Sequence, residues 1–175
     1  MKLHQILPLV LITFLCSTVY AGSPTDTWKA LQSLVGTWEG VGEGGPGSGG
    51  GQFSFSSDLL DRIIVRKNHS EYPASEGRPA IVHDDLLVAY QEDSTRGVRA
   101  IYFDNEGHVI NYAVDASPDG KTVTFLSAPA SSGPRYRQSY VRKDGEELVL
   151  RFEIAPPGKP DAFKMYLEGK ARRKK

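Results

Sequence analysis

The chain has almost no cysteine. Its single one, Cys16, stands near the start of 175 residues, so neither disulfides nor a thiolate metal site can hold the rest together or do chemistry there. A surplus of charge is missing too. The 21 Lys and Arg balance 21 Asp and Glu, which leaves no electrostatic footprint for nucleic acid and argues against an acidic membrane surface as partner. No apolar run is long. The longest, Ile6 to Leu15, covers about ten residues where a membrane-spanning helix needs about 20. Neither a Gly-x-Ser-x-Gly elbow nor a glycine loop ending in Lys-Ser/Thr occurs, so acyl transfer and nucleotide binding lack a local signature.

What is present at the start reads as an export signal. Lys2 precedes the apolar run, and Ser17-Thr18-Val19-Tyr20-Ala21 follows it with small residues where a signal peptidase cuts. Residues 1–21 are therefore expected to be a secretory leader and 22–175 one domain, large enough for a single hydrophobic core. Cys16 leaves with the leader, and Leu15 ahead of it is not the small residue a lipoprotein signal requires. The expected product is secreted or periplasmic, without a membrane anchor. The basic cluster Lys170-Ala171-Arg172-Arg173-Lys174-Lys175 reads as a solvated terminus.

The mature chain opens with one short helix, capped by Thr25 or Asp26, carrying Trp28, Leu31 and Leu34 on one side and ending at Gly36. The period then changes to two. Strands are predicted over Thr37–Val41, Gln52–Leu59, Arg62–Ser70, His83–Gln91, Val98–Phe103, His108–Val114, Thr122–Ser127, Arg135–Arg142, Glu147–Ile154 and Ala162–Glu168. The oligoglycine run Gly44–Gly51 reads as a loop. Asp104-Asn105-Glu106-Gly107, Pro118-Asp119-Gly120 and Lys143-Asp144-Gly145 are tight-turn sequences that force antiparallel neighbours. About ten hairpin-linked strands remove their unpaired edges by closing, so the expected fold is an all-β, closed, antiparallel up-and-down barrel, with a two-sheet sandwich as the alternative.

The words Leu34-Val35-Gly36-Thr37-Trp38-Glu39-Gly40-Val41-Gly42-Glu43-Gly44 resemble the opening of the calycin barrels, and more specifically of nitrobindin and related lipocalin-like domains. Trp38 is large enough to plug one end of a barrel. Tyr166-Leu167-Glu168-Gly169-Lys170-Ala171-Arg172-Arg173 is similar to the closing nitrobindin strand, and the middle of the chain resembles secreted bacterial lipocalin-like proteins of no assigned function. The resemblance implies a ten-stranded barrel. In nitrobindins the closing strand carries the histidine that ligates haem, and here that position is Tyr166, so haem stands only as an alternative to a cofactor-free protein.

Three histidines follow the leader: His69, His83 and His108. His83 and Asp85 share a strand face and could share an ion, but His83 with Asp84 at a solvated strand entrance is the preferred reading, so no metal site is expected. His108 reads as a rim residue. Glu153 is either an inward acid or anchor near Arg151 or Arg137, or an outward ladder partner of Arg151, and the alternation of Leu148, Leu150 and Phe152 favours the latter. Val98–Phe103 and Val109–Val114 do not alternate cleanly, as strands do beside a mostly apolar pocket with polar anchors. The expected ligand-lining residues are Arg66, Asn68, Tyr90, Arg99, Tyr102, Tyr112, Arg137 and Tyr166. The functional expectation is an extracytoplasmic barrel binding a small, partly apolar molecule, with no catalytic residue assigned. The alternatives are a cyclase- or isomerase-like enzyme using Glu153 or His108, and a ligand-free interaction module; the oligomeric state is left open.

Overall fold

The computed structural model describes residues 23–41, 51–74, 77, 79–92, 97–143 and 146–175. The leader, the oligoglycine run up to Gly50, and Asp144-Gly145 of one expected turn lie outside them. The elements are α1 (Pro24–Gln32), β1 (Gly36–Val41), β2 (Gly51–Asp58), β3 (Ile63–Tyr72), β4 (Ile81–Gln91), β5 (Val98–Asp104), β6 (Val109–Ala116), β7 (Thr122–Ser127), β8 (Arg135–Arg142), β9 (Glu147–Ala155) and β10 (Lys164–Arg173). Each strand pairs antiparallel with its sequence neighbours, and β1 pairs with β10 to close the ring.

α1 starts one residue before the expected caps. Ser23 is the N-cap, its Oγ accepting from the Asp26 N–H at 3.2 Å, with Pro24 in the first turn. Trp28, Leu31 and Leu34 are buried as their spacing requires, and the helix packs on the ends of β5, β6 and β7, closing that end of the barrel. Trp38 completes the plug. It is 2% exposed, its indole N–H donates to the Leu34 carbonyl at 2.8 Å, and the Arg173 guanidinium lies 4.4 Å over its ring.

The basic terminus departs from expectation. Lys170–Arg173 are not solvated tail but the part of β10 that pairs with β1. Ala171 is buried in the core, and Arg173 donates to the carbonyls of Val35 at 2.5 Å and Ser33 at 3.2 Å. A charge cluster is compatible with a strand when alternate residues face outward, as Lys170 and Arg172 do here. Gly36 belongs to this corner: its φ is +139°, and a side chain there would collide with the Arg173 guanidinium.

Because the order is strictly up and down, the connections after β1, β3, β5, β7 and β9 sit at the end opposite α1. Gly107 closes the β5–β6 turn at φ 91° with its N–H on the Asp104 carbonyl, and Gly120 the β6–β7 turn at φ 64°. Among the described residues the barrel is thus a cup with a packed floor and one open end.

Candidate functional site

The inner face changes character along the barrel axis. In the closed half Ile64, Leu87, Phe125 and Leu148 have no exposed surface. Above them Tyr140 sits at a crossing of rings, 5.2 Å from Phe55 and 5.9 Å from both Phe53 and Phe125. In the open half, residues of the same inward register, Asn68, Tyr102, Ile110, Tyr136, Leu150 and Phe152, are only partly buried. Side chains that point inward and still meet solvent border an unfilled space. Gly169 locates it: on the inward register of β10, opposite Leu150, a side chain added here finds no atom of the described residues within 4 Å.

One wall of this space, on β3–β5, is ionic. Arg66 and Asp85 form an ion pair with side chains 3% and 5% exposed, held because strand register sets Asp85 opposite Asn68, one step diagonally above Arg66. The guanidinium lies 5.3 Å from the Phe53 ring and 5.8 Å from that of Tyr140. Burial works to lower the Arg66 pKa, but Tyr140 and Asp85 outweigh it, so the cation persists. Its Nε has no partner among the described residues. Removing one member of such a pair would leave an uncompensated charge in the core.

Next to this pair, His83 Nε2 is 3.4 Å from Asp85 and its Nδ1 3.0 Å from Glu106. The hydrogen bond to Asp85, reinforced by Glu106, raises the His83 pKa to about 9 against the effect of burial, so the ring is an imidazolium at neutral pH. The Tyr102 hydroxyl lies 3.3 Å from both His83 Nε2 and the Asp104 carboxylate. Burial, with Asp85 and Asp104, pushes it well above the ordinary tyrosine range, so it serves as a donor. Asp104 is itself buried, which opposes ionisation, but the backbone and ring of His108 hold its carboxyl below the usual range. The ring contact is 2.8 Å.

The facing wall, on β8–β10, is aromatic and apolar. Tyr136 and Phe152 stack at 5.9 Å and 8°, and Tyr166 meets Phe152 edge-on at 6.0 Å. Leu150 and the gap at Gly169 complete it.

The expected lining residues fall into three groups. Arg66, Asn68 and Tyr102 stand together on the ionic wall. Tyr112 points inward but is 2% exposed, sealed against Phe125 at 6.2 Å below the open space, and Tyr166 stands on the rim in the β10 bulge, 60% exposed. Tyr90, Arg99 and Arg137 point outward, a correction to their expected place. Leu87 and Ala89 hold the inward register of β4, and Val98 and Ala100 that of β5, which turns Tyr90 and Arg99 out. Arg137 makes two 2.7 Å bonds to Glu153 on the outside and stacks 4.1 Å over Phe163. Glu153 is therefore outward, paired across to Arg137, while Arg151 pairs with Glu168 at 2.7 Å. His83 is not a solvated entrance residue. β4 begins two residues earlier, at Ile81, which carries His83 inward with Asp85.

Asp85 and Asp104 were absent from the expected set. Asp85 shares an alternation with His83 that placed both on one face, and that was its only sequence signal. Asp104 was masked by its role in the turn, where it accepts the N–H groups of Glu106 and His108.

Compared with known proteins, the chain matches no family model and no curated sequence. Among the described residues, no three His, Cys, Asp or Glu side chains converge as a metal site. A second concavity, about 660 Å³, runs over β1–β5 and is lined mainly by outward groups such as Gln52, Lys67, His69, Asp84, Leu86 and Phe103, with the inward Phe53, Asn68, Asp85 and Asp104 also on its border. It is an open surface groove with no residue of the β8–β10 aromatic wall in its lining, so the lumen is the better candidate site.

Proposed function

We propose that this chain is an extracytoplasmic, lipocalin-like barrel that holds a small, partly apolar molecule in its open half. The leader-like start supports a place outside the cytoplasm. The observation that carries the binding reading is the position at Gly169, which no described residue fills, on the aromatic wall that faces the ionic one. A molecule with an apolar body and a polar end would lay the first on Phe152 and Leu150 and turn the second to Asn68 or the Tyr102 hydroxyl.

Kinship with the nitrobindin-like barrels belongs to this reading and rests on the opening and closing strand words. Haem does not fit. The closing strand offers Tyr166 exposed in a bulge, and both ring nitrogens of the inward His83 face carboxylates. Protein isolated from its native compartment is expected to show no Soret band.

The direct test uses N-phenyl-1-naphthylamine, an uncharged dye that brightens in apolar pockets. Wild type should bind it saturably, and Gly169→Leu, which fills the gap without a strained backbone, should weaken binding at least about tenfold, or about 1.4 kcal/mol, with the thermal midpoint nearly unchanged. Equal binding by both proteins would remove the lumen as the site.

A further inference from the structure

We propose that the lumen selects uncharged amphiphiles over carboxylates, because the cation at the base of its open half is already neutralised from within the barrel. This rests on the lumen being the binding site and names the class of molecule it takes.

A lone inward arginine in a barrel would ordinarily be read as an anchor for an acid. The charge of Arg66 is already balanced, although its Nε–H has no partner among the described residues. Asp85 pairs with the guanidinium from the next strand, and Phe53 and Tyr140 cover its faces. The same holds along the ionic wall. His83 lies between Asp85 and Glu106, and His108 is bound to Asp104. An incoming carboxylate would lose its water and meet Arg66 and His83 already paired with carboxylates, with Asp85 and Asp104 close by as like charges. Among the described residues, the remaining cation on the inward register of the open half, Lys164, stands exposed on the outermost rung of β10 opposite Ile154, where its charge is left in water. A hydroxyl or carbonyl end meets no such repulsion. Asn68, 3.3 Å from Ser70, and the Tyr102 hydroxyl offer it donors and acceptors.

The experiment is displacement of N-phenyl-1-naphthylamine from the full mature protein at neutral pH by 1-decanol and by decanoate, which share one chain. Wild type should release the dye at a decanol concentration at least about tenfold below that of decanoate. Any apolar pocket disfavours a charge, so the deciding result is the change in that ratio on substitution. Asp85→Asn leaves Arg66 without its carboxylate and should bring the ratio to unity or reverse it. Glu106→Gln, at an exposed rim position that places folding at little risk, should narrow it in the same direction by a smaller factor. A ratio unmoved in Glu106→Gln and in folded Asp85→Asn, or decanoate binding better than decanol to wild type, would overturn the inference while leaving the lumen as the site. Failure of wild type to bind the dye or either amphiphile would overturn both.

Discussion

The two halves of the barrel interior are built from the same ten strands and the same alternation, yet they are opposites. The half beneath α1 is filled: Trp38, Leu31, Leu34, Ile64 and Leu148 are among its fully enclosed side chains. The half toward the loops keeps a buried ion pair, an imidazolium, a donor tyrosine and a glycine that faces a space no described residue fills. Packing at one end supplies the stability that lets the other end remain incompletely packed. Substitutions should therefore divide by their effect on binding, which stays small below and grows above, while stability depends mainly on the packed floor and, above it, on the paired charges of the ionic wall.

The severest test of that division is Trp38→Ala. Loss of the plug, its hydrogen bond to Leu34 and the Arg173 stack should lower stability by about 3–5 kcal/mol in chemical denaturation, and a loss below about 1 kcal/mol would mean the floor does not bear the fold. A smaller effect is pH-dependent. The His83 pKa is raised from 6.5 to about 9, so its contribution is complete below pH 6.5 and disappears as pH rises through about 9. Wild type should exceed His83→Gln by about 2 kcal/mol at pH 6, with the gap closing by pH 10, and a gap that widens with pH would reverse the assignment. Ser23→Ala, removing the α1 cap, should cost about 1 kcal/mol without altering dye binding. Arg151→Ala, on the outer ladder away from both halves, should stay within about 1 kcal/mol of wild type.

Most of the architecture was legible in the sequence because turns and alternation are local. Asp104–Gly107 and Pro118–Gly120 announce their hairpins, and nine of the ten strands fall within two or three residues of their predicted bounds. The last strand, expected to stop at Glu168, runs to Arg173, since its closing half is held by pairing with β1, a contact about 130 residues away in sequence that composition alone does not reveal. The β2–β3 turn has no glycine to mark it, and Leu59, Leu60 and Asp61 all adopt positive φ.

The site was harder to see for a related reason. Parity inside a barrel depends on which face of each strand is covered, and on β4–β6 both faces are apolar: Val88, Ile101, Phe103 and Val109 lie outside while Leu87, Ala100 and Tyr112 lie inside. That symmetry hid the outward direction of Tyr90 and Arg99. Arg66 was identifiable as an inward residue, but the carboxylate that neutralises it lies 19 residues away on the next strand and becomes its neighbour only through register.

The contrast between the halves is most directly read by amide NMR during titration with 1-decanol, using two reporters, the Gly169 backbone N–H and the Trp38 indole N–H. Saturable shifts at Gly169 and its neighbours on β9 and β10, with the Trp38 signal unmoved, are the expected result. Shifts at Trp38 with none at Gly169, or none at either, would contradict an open half built to hold a ligand over a sealed floor.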